Sequence, residues 1–163
     1  MSIREKIMYF FRKDQVFQSG SVSISLIDKN GNIKERTFVR NLVVATGLSH
    51  LADRLEDTPD ETAMGYLAIG NDATPASAVN TGLGGELGRV AITSKIQGTG
   101  GNSNQITVTA TVPAGVGTGT IVEAGIFNAS SNGIMFARSV FSPKVKGAGD
   151  ALGFSWVFGI SAS

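Results

Sequence analysis

Chemistry on this chain would have to start from very few residues. His50 is the one histidine, set between Ser49 and Leu51 in a stretch with helical spacing. No Gly-x-Ser-x-Gly elbow offers it a serine to activate, so His50 is expected on a helix surface or at a cap. The absence of cysteine excludes thiol catalysis, disulfides and thiolate-held metals. A histidine-based metal site fails on count. A carboxylate site would need acids gathered on the β-patterned part of the chain, where only Asp72, Glu86, Glu123 and Asp150 occur, widely spaced. Glu86 and Glu123 could in principle form the acid pair of a glycoside hydrolase. Nothing in the sequence brings them together, and one tryptophan and two tyrosines are few for a sugar cleft.

Two glycine-rich stretches invite a phosphate-loop reading. Thr81-Gly82-Leu83-Gly84-Gly85-Glu86-Leu87-Gly88-Arg89 lacks the Lys-Ser/Thr ending, and no helical pattern follows it. Gly98-Thr99-Gly100-Gly101 fails in the same way. Both are expected to be turns in which glycine supplies positive φ. Asp28-Lys29-Asn30-Gly31-Asn32 carries side-chain oxygens but lacks the distal glutamate of a calcium loop. Its Asn-Gly pair marks a hairpin turn instead. No cofactor and no metal are expected.

Charge is distributed unevenly. Of the 27 charged residues, eighteen lie in residues 1–62 and nine in residues 63–163. A small soluble monomer normally spreads charge over its surface, so the charge-poor part suggests packing against copies of itself or a larger assembly. The net charge of +1 sets up no field to attract nucleic acid. Lys144 and Lys146 near Phe141 are the nearest approach to a basic patch there, and nucleic acid is not expected as a partner.

The elements follow from periodicity. Val22, Ile24 and Leu26 alternate with serines, and residues 33–39 return as a partner strand. Leu48, Leu51 and Leu55 recur at helical spacing, predicting a helix over 46–56 with Thr46 as N-cap and Pro59 behind its end. Strands are predicted at 64–70, 88–96, 104–112, 120–128, 134–141 and 151–161, separated by glycine- and proline-bearing turns. The fold expected is mainly β: an antiparallel β-sandwich, jelly-roll-like, of about eight strands with one short α-helix. It is read as one domain over 15–163, with Leu48, Leu51, Leu55, Ile126, Phe154, Trp156 and Phe158 in the core.

Residues 1–14 read as an N-terminal arm. Ile3, Ile7, Phe10 and Phe11 fall on one helical face among Arg4, Lys6, Arg12 and Lys13. Such a segment covers its own domain or reaches a neighbouring subunit. Its longest apolar run is too short for a secretory core, and no run approaches a membrane span, so no membrane is expected.

One order of motifs is distinctive. Asn41-Leu42-Val43-Val44-Ala45-Thr46-Gly47-Leu48 opens the helix. Met64 to Asp72 (MGYLAIGND) and Pro75 to Arg89 (PASAVNTGLGGELGR) follow. Then come Glu123-Ala124-Gly125-Ile126-Phe127-Asn128, Ala137-Arg138-Ser139-Val140-Phe141 and a terminal Ser155-Trp156 strand. Over roughly residues 41–161 this resembles small virion proteins of tailed bacteriophages and related modules of phage tail fibres. In them a hydrophobic helix precedes "IGxGxxxPxxxDTxLxxExxR", an "EAGIF" strand and an "ARxVF" strand. Asp72 stands where that pattern has its second glycine, and Asn80 where it has aspartate.

The resemblance implies a non-enzymatic, oligomeric virion structural protein, found on the phage particle. The reading placed first is a capsid decoration (cement) protein, a homotrimer whose arm lies across neighbouring capsid subunits. Its partners would be itself and the major capsid protein. The second reading is a collar, baseplate or tail-fibre adaptor bound to tail proteins. The third is a carbohydrate-binding β-sandwich that attaches to the host surface.

Overall fold

A computed structural model describes residues 16–162. The arm residues Ile3, Arg4, Lys6, Ile7, Phe10, Phe11, Arg12 and Lys13 lie outside the described residues. Ten strands form: β1 (Val16–Ile27), β2 (Ile33–Arg40), β3 (Leu42–Val43), β4 (Tyr66–Gly70), β5 (Glu86–Ala91), β6 (Ser94–Gln97), β7 (Gln105–Val112), β8 (Gly119–Phe127), β9 (Met135–Lys146) and β10 (Ala151–Ala162). Among the described residues one α-helix, α1 (Ala45–Asp53), sits between β3 and β4. Two five-stranded sheets result, in the orders β2-β1-β10-β7-β6 and β3-β9-β8-β4-β5. All pairs are antiparallel. The architecture is the expected antiparallel β-sandwich, and its pairing is nested: β1 with β10, β3 with β9, β4 with β8, β6 with β7.

Alternation with a period of two decides what each sheet buries. In the first sheet Val22 pairs with Trp156 and then Val108, Ile24 with Phe154 and Ala110, Leu26 with Leu152 and Val112. None of these nine side chains is more than 5% exposed. They meet Leu67, Ile69, Ile121, Ala124, Ile126 and Phe141 of the second sheet. Phe158 stacks on Trp156 at 5.5 Å and meets Phe136 edge-on at 5.1 Å. Ile126, Phe154, Trp156 and Phe158 are all buried in this core.

The strand count exceeds eight for two reasons. β3 is a two-residue rung against Ala137 and Arg138. The segment predicted as one strand over 88–96 changes sheets in its middle: Ile92 donates its N–H to Gly65 O, and Thr93 donates to Thr109 O across the sandwich. No glycine or proline is needed for that switch, so the pattern looks continuous. β9 also outruns its predicted end at 141. It carries Pro143 through a register shift opposite Ile121–Glu123, where a missing N–H costs no ladder bond.

The helix corrects two expected core residues. Gly47 and His50 are its buried residues, while Leu48 is 49% exposed and Leu55, two residues past the helix end, is 85% exposed. The cause is close approach. A Cβ at Gly47 would overlap the Phe136 carbonyl oxygen, so this face alone lies tight on β9, and Leu51 is half-buried beside it. Thr46 is not the cap either: Val44 occupies that position without a side-chain bond. The Thr46 hydroxyl donates to Met135 O at 2.8 Å. The helix stops at Asp53, six residues before Pro59, because the Asp53 carboxylate accepts the N–H groups of Asp60 and Glu61 at 3.0 and 3.3 Å. That pulls the chain back on itself.

Candidate functional site

The residues of the motif tract converge on one buried carboxylate. Glu123 (β8) and Arg138 (β9) are diagonal neighbours on one face of the second sheet, since Gly125 pairs with Arg138. Their side chains are 0% and 2% exposed, with 2.9 Å between guanidinium and carboxylate. The N–H groups of Asp72, Gly84 and Gly85 also donate to Glu123, at 3.2, 3.2 and 2.8 Å. Arg138 reaches Asn80 Oδ1 at 3.1 Å and Asp72 Oδ2 at 3.4 Å. The loop between β4 and β5 is thereby pinned to the sheet from within.

This corrects two expectations. Gly84 and Gly85 do not adopt positive φ, unlike Gly31 and Gly100. They are small because a Cβ at either would strike the Asp72 or Asn71 side chain. The loop does cradle an anion with backbone N–H groups, as such nests can, and the anion is the chain's own Glu123. Asp72 and Glu123, widely spaced in sequence, share Arg138. Glu86 and Glu123 flank Gly70 from opposite sides of β4, but Glu123 is fully buried and Glu86 is held by Arg89 at 2.7 Å. That arrangement offers no acid pair to a sugar.

Each of the other charges after residue 62 is engaged within the chain. Arg89 donates to Ala129 O and Asn132 O and lies 3.8 Å from the Phe127 ring centroid. Lys95 donates to Met64 O at 2.6 Å. Lys144 pairs with Glu35, and Lys146 reaches Pro113 O, both at 2.9 Å. Asp150 pairs with Lys34 at 2.9 Å. The Lys34 bond and then the Gly147 N–H hold Asp150 below the usual carboxylate value. Asp72 is lowered chiefly by the N–H and hydroxyl of Thr74. Burial pulls Lys146 below the ordinary lysine value, against the pull of Asp150.

His50 departs from the surface role expected of it. It is 5% exposed, and its Nδ1 has no hydrogen-bond partner among the described residues. Burial lowers its pKa, partly offset by Asp53. Asp28 behaves as the hairpin reading requires: its carboxylate accepts the N–H groups of Asn30 and Asn32 at 2.8 and 2.9 Å, and Gly31 has φ +86°. Among the described residues no cluster of three His, Cys, Asp or Glu could hold a metal.

Among the described residues two hollows stay open, a polar one of about 590 Å³ beside Gly20, Ser21, Arg40, Asn41 and Gln105, and an apolar one. At one end of the sandwich a cavity of about 540 Å³ lies between the sheets, lined by Val43, Leu51, Ile106, Phe136, Phe158 and Ile160. Its polar rim is turned inward on the chain: Gln97 donates to Ser103 O at 2.6 Å and Asn104 to Ile160 O at 2.7 Å. The outer face of the first sheet is a second plain surface. Ser21, Ser23 and Ser25 of β1 lie beside Val157, Ser155 and Gly153 of β10, then Thr107, Thr109 and Thr111 of β7. These three strands place no charged residue on that face. At its margin on β2, Phe38 stands 72% exposed between Arg36, which donates to Ser25 Oγ at 3.0 Å, and Arg40. Comparison with known families, curated proteins and solved structures finds no match for this chain.

Proposed function

We propose that this chain is a non-catalytic structural protein of a tailed-phage particle: an oligomeric capsid decoration protein, with homotrimer as the expected state. It packs on neighbouring copies and on the major capsid protein through uncharged surface, and its N-terminal arm reaches an adjacent subunit. The observation that carries this reading is the engagement of all nine charges after residue 62 inside the chain. A surface with its charges spent internally meets a partner by shape and apolar contact. Burial then supplies about 25 cal/mol per Å², enough for an interface of ordinary size. The motif tract, which carries the resemblance to phage virion proteins, supports the reading in a second way. Its Gly84 and Gly85 N–H groups and its charges are consumed within the chain, so the nest they form is filled by Glu123 and not open to a substrate.

The test is stoichiometric. Purified protein is added to capsids of the encoding phage that lack it, and bound copies are counted after sedimentation. Hundreds of copies per particle are expected. A dozen copies, as for a tail component, or no binding at all, overturns the assignment.

A further inference from the structure

We propose that the apolar cavity at the end of the sandwich is the socket for the N-terminal segment of a second copy of this chain. The inference deepens the assignment of the arm to a neighbouring subunit and rests on that part of the reading. It needs only that the neighbour be another copy, so it stands or falls apart from any virion.

The socket asks for an apolar guest. Its floor is aliphatic and aromatic, and Gln97 and Asn104 at its rim are already bonded to main-chain carbonyls. Ile106 and Ile160 remain 37% and 42% exposed in it, a greasy opening that water covers at a cost. Its volume of about 540 Å³ exceeds what one side chain fills, which suits a segment inserting several.

The chain supplies such a guest at the right place. β1 enters the sheet beside the socket, with Gln18 paired to Ile160 and Gly20 to Phe158, about one strand spacing of 4.8 Å away. Fifteen residues precede Val16 in the sequence, including Ile3, Ile7, Phe10 and Phe11. Fully extended they would reach about 50 Å, ample for the same opening on an adjacent copy.

Sequence chooses the neighbour over the chain's own socket. Folding back would require a reversal just before Val16. Residues 1–15 contain no glycine and no proline, and Phe10-Phe11-Arg12-Lys13-Asp14-Gln15 offers one turn-former, Asp14. A reversal there would have little turn chemistry to support it, which favours the neighbour's opening.

The absence of cysteine makes the test clean. Full-length chains carrying F10C (on a longer, tagged chain) and L51C are co-expressed and oxidised. A disulfide joining tagged to untagged chain is expected on a non-reducing gel, and none with T109C, on the outer face, in place of L51C. I7C replaces F10C in a repeat, so that one unsuitable position does not decide the outcome. An internal disulfide in a chain carrying both cysteines, with no mixed-chain product, would put the segment in its own socket and overturn the proposal. So would no cross-link of either kind in both repeats. As a second readout, I7D/F10D should open the socket and raise the fluorescence of an added anilinonaphthalene dye several-fold over the wild type. Equal dye binding by both proteins would show that the socket holds no arm.

Discussion

Glu123 and Arg138 form a buried ion pair in which each partner needs the other. Removing one side of such a pair leaves an uncompensated buried charge, at about 3–5 kcal/mol. We predict a loss of that size for Glu123→Ala, read from the urea midpoint, with amide exchange accelerating first in the loop between β4 and β5. A loss under about 1 kcal/mol would show the pair to be ornamental. Two further side chains meet at Arg138: the Asp72 carboxylate and the Asn80 amide oxygen both accept from its guanidinium. An acid at either position would set a negative charge beside Arg138. Asp72→Asn should therefore lower stability, and adding Asn80→Asp should restore it.

His50 gives a pH dependence of definite sign. Its folded pKa lies below the ordinary value of about 6.5, so the unfolded chain takes the proton first. Its contribution is whole above that value and is lost as pH falls from there toward the folded pKa. The carboxylates Asp28, Asp72 and Asp150 are lowered from 3.8, so their contributions are lost only at more acid pH. Comparing urea midpoints at about pH 7.5 and about pH 5, wild type should weaken and His50→Gln should weaken less. Identical changes in the two proteins would remove His50 as the cause.

At the scale of elements, α1 shows what periodicity cannot foresee. A helix reading takes Leu48, Leu51 and Leu55 as one buried stripe, but the contact that decides its rotation is glycine against backbone at Gly47. Gly→Ala in a helix normally gains about 0.5–1 kcal/mol. Gly47→Ala is instead expected to destabilise, because β9 must move to admit the methyl. A gain in melting temperature would refute the close packing. The strands were far more legible. In β10, Phe154, Trp156 and Phe158 alternate with smaller residues, and that pattern alone names the inward face. Trp156→Ala should cost about 3–5 kcal/mol. The Glu123–Arg138 pair left a faint signal: Glu123 is the one charge in β8 and Arg138 the one charge in residues 134–141, on strands separated by a turn at 128–134. The N–H groups of Gly84 and Gly85 left none, because a backbone donor is the same in every residue and only the fold aims it.

For the whole molecule, the decisive fact is where charge is not available. The nine charged groups after residue 62 are committed within the chain, and the central rungs of β1, β10 and β7 turn serine, threonine, glycine and one valine outward, with Arg36 of β2 bonded to Ser25 at their edge. An assembly of such bodies should hardly notice salt. Raising NaCl from about 0.05 to about 1 M shrinks the Debye length from over 10 Å to about 3 Å. Even the loss of an exposed ion pair, worth ~0.2–1 kcal/mol, would change the dissociation constant about fivefold at most. We therefore predict that the proposed oligomer, followed by sedimentation, weakens by no more than that, and that sulfate strengthens it by favouring apolar burial. The arm is the exception that gives the experiment its edge. Arg4, Lys6, Arg12 and Lys13 are the densest cations in the sequence. A steep salt dependence would mean that these cations, gripping an acidic surface, hold the assembly, and that its apolar residues do not. The socket and the uncharged sheet face would then both lose their assigned roles.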